Sequence, residues 1–189
     1  MPATLTPVSL RLSPDAYAEW EETQEDRHEY IHGEVFPMSG ATDTHNIIAL
    51  NFAFALHRAF AGTDCVVYGE GMRVQIEAGG RYAYPDVSAV CGARVFTTPK
   101  RTTLANPTLV VEVLSERTEA YDRGEKLVAY RALASLQEIV LVRQDARAAE
   151  VYRREASGRW TIEEARADVA LTSVGVRVAM ADLYAGTDV

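Results

Sequence analysis

The sequence predicts an α/β (α+β) domain built on a mixed central sheet flanked by helices. Three segments carry that prediction. Thr108 to Leu114 (Thr-Leu-Val-Val-Glu-Val-Leu) is nearly all apolar, as a strand covered on both faces is. Asp122 to Leu133 has the pattern of an amphipathic helix, and Glu138 to Val142 is a second buried strand. Thr108 to Val142 therefore reads as a strand-helix-strand crossover. Glu150 to Arg154, Trp160 to Ala165 and Val176 to Met180 read as a closing antiparallel set, with Ser157-Gly158 as a hairpin turn.

The other elements follow in chain order. Ser13-Pro14-Asp15 starts a helix: serine as N-cap, proline in the first position, an acid in the first turn. Tyr17 and Trp20 share a face of it. A short second helix is expected from Glu25 to Ile31, ended by Gly33. Glu34 to Met38 reads as a short strand and Ser39-Gly40 as a turn. Thr44 to Ala61 is a long packed helix, apolar at helical spacing through Ile47, Leu50, Phe54 and His57. Cys65 to Tyr68 and Met72 to Glu77 are strands before a turn at Gly79-Gly80, and Tyr84 to Val90 is the next strand, with Pro85-Asp86 at its start. No repeat, low-complexity tract or linker interrupts the chain, so residues 1–189 are expected to form a single domain.

With 189 residues the chain is long enough for a full core, and 48% hydrophobic and 24% charged residues are ordinary for a globular protein. No apolar run reaches the roughly 18 residues of a membrane span. Met1 to Leu12 lacks the cationic start and apolar stretch of a signal peptide, which points to the cytoplasm. Cys65 and Cys91, the only cysteines, are expected as buried thiols in a reducing compartment rather than as a disulfide framework or a zinc ribbon. The net charge of -8 works against broad nucleic-acid binding. Its basic residues fall in small groups (Lys100-Arg101; Arg123, Lys126 and Arg131; Arg153-Arg154) that read as solvated surface. A metal-dependent site can still contact phosphates, because the cation supplies local positive charge.

The chemistry-bearing residues are Asp86, Glu112 and Lys126. Two carboxylates hold a hard divalent cation through oxygen, and an ammonium orients water or neutralises phosphoryl charge. Each has an ordinary alternative. Asp86 after proline is a common turn former, Glu112 inside an apolar strand needs a partner if it is only a buried ion pair, and Lys126 lies four residues after Asp122 at ion-pair spacing. His28-Glu29-Tyr30-Ile31-His32 also fits the H-E-x-x-H zinc-peptidase pattern. That chemistry needs a stable helix and a third ligand, and Gly33 directly follows the second histidine.

Several motifs in order resemble one family. They are Arg27-His28-Glu29-Tyr30-Ile31-His32-Gly33-Glu34, the His45 to Leu56 helix, Tyr84-Pro85-Asp86-Val87, Val111-Glu112-Val113-Leu114-Ser115, Asp122 to Tyr130, and Glu138-Ile139-Val140-Leu141-Val142. The chain resembles the Uma-type endonuclease family, long classed as a domain of unknown function, within the PD-(D/E)XK restriction-endonuclease-like superfamily. The resemblance spans about Tyr17 to Arg153 and implies a restriction-endonuclease-like mixed sheet. It implies Mg2+ or Mn2+ held by Asp86, Glu112 and the backbone carbonyl of Val113, with Lys126 positioning the attacking water. Glu29 would complete the metal shell or act as a base through water, and His45 would touch a phosphate at its helix start. The implied substrate is DNA, and the implied assembly is a homodimer. The superfamily's strand lysine is replaced here by Leu114, with Lys126 on the following helix instead. A second reading is therefore a non-catalytic nuclease-fold module that binds nucleic acid or a protein.

Overall fold

The structure, a computed structural model, describes residues 6–38, 40–77 and 79–189. Its centre is a six-stranded mixed sheet. The strands are β3 (Cys65–Gly69), β6 (Val87–Cys91), β8 (Leu109–Leu114), β9 (Glu138–Arg143), β10 (Ala149–Arg154) and β11 (Trp160–Ala165), in the order β11-β10-β9-β8-β6-β3. β8 and β9 run parallel, while β6 with β8 and β9 with β10 are antiparallel. The crossover expected between Thr108 and Val142 is present, and all six residues of β8 are buried.

Alternation along β8 sorts its side chains between two cores. Leu109, Val111 and Val113 face α2 (Asp43–Ala59), through Ile48, Phe52 and Leu56. A small two-stranded sheet, β12 (Asp168–Leu171) with β13 (Val176–Ala179), and α5 (Met180–Leu183) complete that side. Val110 and Leu114 face the other way, toward α4 (Leu127–Ala132) and β4 (Arg73–Glu77). β4 belongs to a five-stranded sheet with β1 (His28–Ile31), β2 (Glu34–Pro37), β5 (Arg81–Ala83) and β7 (Thr103–Leu104), in the order β2-β1-β5-β4-β7. α1 (Pro14–Glu21) begins at Ser13, whose hydroxyl accepts the Ala16 N–H, and Tyr17 from it is fully buried.

Four expectations need correction. Glu25 to Ile31 is not a helix: His28–Ile31 is a strand paired antiparallel with Glu34–Pro37. The glycine taken as a helix stop is half of a two-residue hairpin turn. His32 (φ 47°) and Gly33 (φ 97°) both have the positive φ such turns require. The apolar stripe through Ile47, Leu50 and Phe54 does not form the core face of α2. Leu50 is 69% and Phe54 59% exposed, whereas Ile48, Phe52 and Leu56 are fully buried. The cysteines are not free thiols, because the β3–β6 register sets Cys65 opposite Cys91 and their sulfurs are bonded. Finally, Asp122 to Leu133 is not one regular helix. α3 (Glu119–Tyr121) and α4 flank a wider turn, Asp122–Lys126, kinked at Gly124. Of the expected Ser39-Gly40 turn, Ser39 lies outside the described residues. No described helix is long and apolar enough to cross a membrane.

One carboxylate ties the small sheet to the large one. Glu138 is fully buried at the start of β9. It accepts hydrogen bonds from Arg153 (2.7 Å), from the Thr172 N–H and hydroxyl (3.1 and 3.2 Å), and from the Ser173 N–H (3.0 Å) and hydroxyl. Removing one partner of such an ion pair strands the other groups. Glu138→Ala is expected to cost about 3–5 kcal/mol in urea denaturation. A loss below about 1 kcal/mol would show that the small sheet docks without this anchor.

Candidate active site

The elements that carry the expected residues meet at one end of the central sheet. β8 ends there and the antiparallel β6 begins there, with Val87 opposite Val111. Asp86, just before β6, therefore lies beside the end of β8. Its Oδ2 accepts the Val113 N–H at 2.6 Å. The contact on Val113 is thus through its N–H, with the carbonyl on the strand's next peptide group. The other Asp86 oxygen, Oδ1, is 2.8 Å from Nε2 of His45. His45 is in the first turn of α2, whose N-cap Thr42 accepts the His45 N–H.

Glu112 points to the α4 side with Val110 and Leu114, as strand alternation requires. There it meets Lys126. The Lys126 Nζ is 2.9 Å from Glu112 Oε1, 3.0 Å from Glu29 Oε1 and 3.6 Å from Asp122 Oδ1. Tyr130 donates its hydroxyl to Glu112 Oε1 at 2.7 Å, and Tyr121 donates to Glu29 Oε2 at 3.0 Å. Among the described residues both contacts to Glu112 fall on Oε1. The structure so brings all five expected side chains to one place: Asp86 with His45, and Lys126 with Glu112 and Glu29.

These groups line an open cleft of about 810 Å3. Eight carboxylates line it (Glu25, Asp26, Glu29, Glu70, Asp86, Glu112, Glu116, Asp122) against Arg27, Arg117, Lys126 and His45. That crowding shifts protonation. Burial pushes Glu112 up to about 8; Lys126 opposes that shift, Asp86 and Asp122 add to it, and the Tyr130 hydrogen bond opposes it. Burial likewise raises Asp122. Burial opposes charge on Lys126, but Glu112 and Glu29 hold its proton well above the ordinary lysine range. Burial also opposes charge on His45, and the hydrogen bond and charge of Asp86 overcome it, so His45 is raised.

Asp122, an ordinary ion-pair partner of Lys126 by its spacing, and Tyr130 both belong to this cluster. The signal was present: positions 122, 126 and 130 recur every four residues and share one face. Tyr121 had no such signal, since its partner Glu29 is 92 residues away. The Tyr130 hydrogen bond to the buried Glu112 carboxyl sets a prediction. Tyr130→Phe is expected to cost about 1–2 kcal/mol in denaturant unfolding; under about 0.5 kcal/mol would show that the bond holds nothing in place.

The zinc-peptidase arrangement is absent. His28 is on a strand, with Nδ1 3.1 Å from Glu21 and its ring against Trp20. His32 is in the hairpin turn, 3.7 Å from Glu77. The two therefore have separate surroundings, not one helical face. Among the described residues, no group of three or more His, Cys, Asp or Glu is arranged to hold a metal ion.

The chain is similar to known proteins over nearly its whole length. A crystal structure titled as a putative nuclease from Anabaena variabilis, of a domain family of unknown function, superposes with a TM-score of 0.74 at 17% identity. The match covers 92% of this chain and 98% of that one, which shows a common fold. Two uncharacterized proteins of Synechocystis sp. are similar in sequence. Slr1290 is 34% identical, covering 93% of both chains, and sll1609 is 29% identical, covering 81% of this chain and 86% of its own. Residues 14–180, a span that holds every residue of the cleft cluster, match the Uma2 family, described as "putative restriction endonuclease". The chain belongs to that family.

Proposed function

We propose that this protein is a Mg2+- or Mn2+-dependent endonuclease that hydrolyses DNA phosphodiesters, a single PD-(D/E)XK-type domain over residues 1–189. One observation carries the reading: a buried lysine bridges two glutamates in a cleft whose Asp86 is hydrogen-bonded to the residue after one of them.

The donor set suits a hard divalent cation, because the cleft gathers carboxylate oxygens in excess of its fixed cations. Asp86, Glu112 and the Val113 carbonyl are the residues that would hold it. When bound, the metal supplies Lewis-acid polarisation of the phosphodiester and activation of water. The rest is the work of side chains. Lys126 keeps its proton and offers N–H donors to the attacking water or to phosphoryl oxygens. Glu29, held by Lys126 and Tyr121, is the carboxylate available to take a proton through water. His45 fixes the orientation of Asp86 and stands at a helix start, where a phosphate is favoured. Without a cation the acidic cleft repels a phosphate backbone, so metal dependence should be strict. This reading implies action in the cytoplasm, and cutting both strands calls for two sites, as a homodimer supplies.

A second reading, the non-catalytic module, has two observations in its favour. Both Asp86 oxygens are already engaged, and Leu114 occupies the usual strand-lysine position. Cleavage of plasmid and of short single- and double-stranded DNA separates the two. Wild type with Mg2+ or Mn2+ is expected to cut, and Asp86→Ala is expected not to. No cleavage of any substrate by wild type would leave the module reading standing, and equal cleavage by Asp86→Ala would place the activity elsewhere.

A further inference from the structure

Helix α2 is apolar on two opposite faces. Ile48, Phe52 and Leu56 form its core stripe. About half a turn away, at roughly 100° per residue, Asp43, Ile47, Leu50, Phe54 and His57 form a second stripe. Its spacing alternates four and three residues, which is the repeat of a helix-pairing seam. The fold leaves this stripe open, with Leu50 and Phe54 the two most exposed large apolar side chains on the helix. A helix apolar on both sides is normally covered on both. The flank is closed by the C-terminal segment, where Asn51 donates to the carbonyls of Leu183 and Ala185, both at 3.0 Å. His45 projects from the core side, toward Asp86, so covering the seam leaves the cleft open.

We propose that the seam is the docking surface for a second copy of this chain, through antiparallel pairing of the two α2 helices about a two-fold axis at Leu50. The seam is complementary to itself in one register. Placing Asp43 opposite the partner's Arg58 puts Ile47 against the partner's Phe54 and Leu50 beside the partner's Leu50. The same contacts repeat in reverse across the axis, as an isologous interface requires. Asp43 is the acid of the helix's first turn, and His57 and Arg58 are the bases of its last. Both ends of the pair therefore join opposite charges, and antiparallel alignment also sets each helix N-terminus against the other's C-terminus. A parallel pairing would put like charges together at each end. The pairing rests on the helix surface and not on the nuclease reading. It keeps the two clefts at opposite ends of a 17-residue helix pair, about 25 Å long at 1.5 Å per residue.

The test is sedimentation equilibrium of the full chain, metal-free and without DNA. Wild type is expected to be a dimer. Leu50→Glu, at an exposed position that should not disturb folding, is expected to weaken self-association roughly a hundredfold or more. Asp43→Arg and Arg58→Asp are each expected to weaken it, and the double variant to recover part of the loss, because it rebuilds both end pairs. Leu50→Cys is expected to cross-link between copies on oxidation, since the two residues meet at the axis. A monomeric wild type at all concentrations would overturn the proposal. So would a dimer that Leu50→Glu leaves intact, or a charge-swapped double variant weaker than both single ones.

Discussion

Lys126→Ala is expected to abolish metal-dependent DNA cleavage, lowering turnover by at least about 10²–10³-fold, and to destabilise the fold by about 3–5 kcal/mol. Both effects come from one geometry. The ammonium is buried and lies within 3.0 Å of both Glu112 and Glu29, with Asp122 at 3.6 Å. Without it, three carboxylates share a poorly solvated space with no cation among them. The variant must take up protons or open the cluster, so it should recover stability toward acid pH. Lys126→Arg is a useful companion. A planar guanidinium can keep the charge but not the compact three-way contact, so it should restore more stability than activity. Turnover by a folded Lys126→Ala protein within tenfold of wild type would remove the lysine from the chemistry. Circular dichroism at the assay temperature separates that outcome from simple unfolding.

How far the sequence disclosed this site depends on what held each residue there. Glu112 was legible on local grounds, as a charge inside a buried strand, whereas Asp86 and Lys126, ordinary locally as a turn former and a helix ion-pair partner, were legible through the order of the motifs that resemble one family. The central crossover was legible for the same reason that it is stable, since β8 and β9 are covered on both faces. The rest depended on tertiary choices that local pattern does not encode. Along α2, the stripes through Leu50 and Ile48 are both apolar at helical spacing, and only the sheet beneath decides which one is core. In His28 to Glu34, the signal at Gly33 fits a helix stop and a two-residue hairpin equally well. Pairing with β5 selects the hairpin. Cys65 and Cys91, 26 residues apart, became partners through strand register alone. Tyr121 reached Glu29 across 92 residues.

The metal-free protein is expected to lose stability as pH rises from about 5 to about 8, with a cumulative loss of a few kcal/mol. Glu112 has an ordinary value of 4.5 and is pushed up to about 8 by burial and by its carboxylate neighbours. Between those values the folded state holds a proton that the unfolded chain has released, so stability falls with rising pH across that window. Asp122, raised by burial, acts in the same direction. His45 does too: the stability it draws from Asp86 is fully present below its ordinary 6.5 and is lost as pH climbs through its raised value. The groups held low, Glu22, Asp145 and Glu150, lose their contribution only at acid pH and do not cancel this slope. Thermal unfolding in a chelator at several pH values measures it. Glu112→Gln, permanently neutral, should flatten the slope. Mg2+ or Mn2+ should raise the wild-type melting temperature most at pH 8, where the cation replaces the missing proton. A wild-type profile as flat as that of Glu112→Gln would show that Glu112 is ionised throughout. The carboxylate crowding offered above as the reason for a metal would then carry no weight.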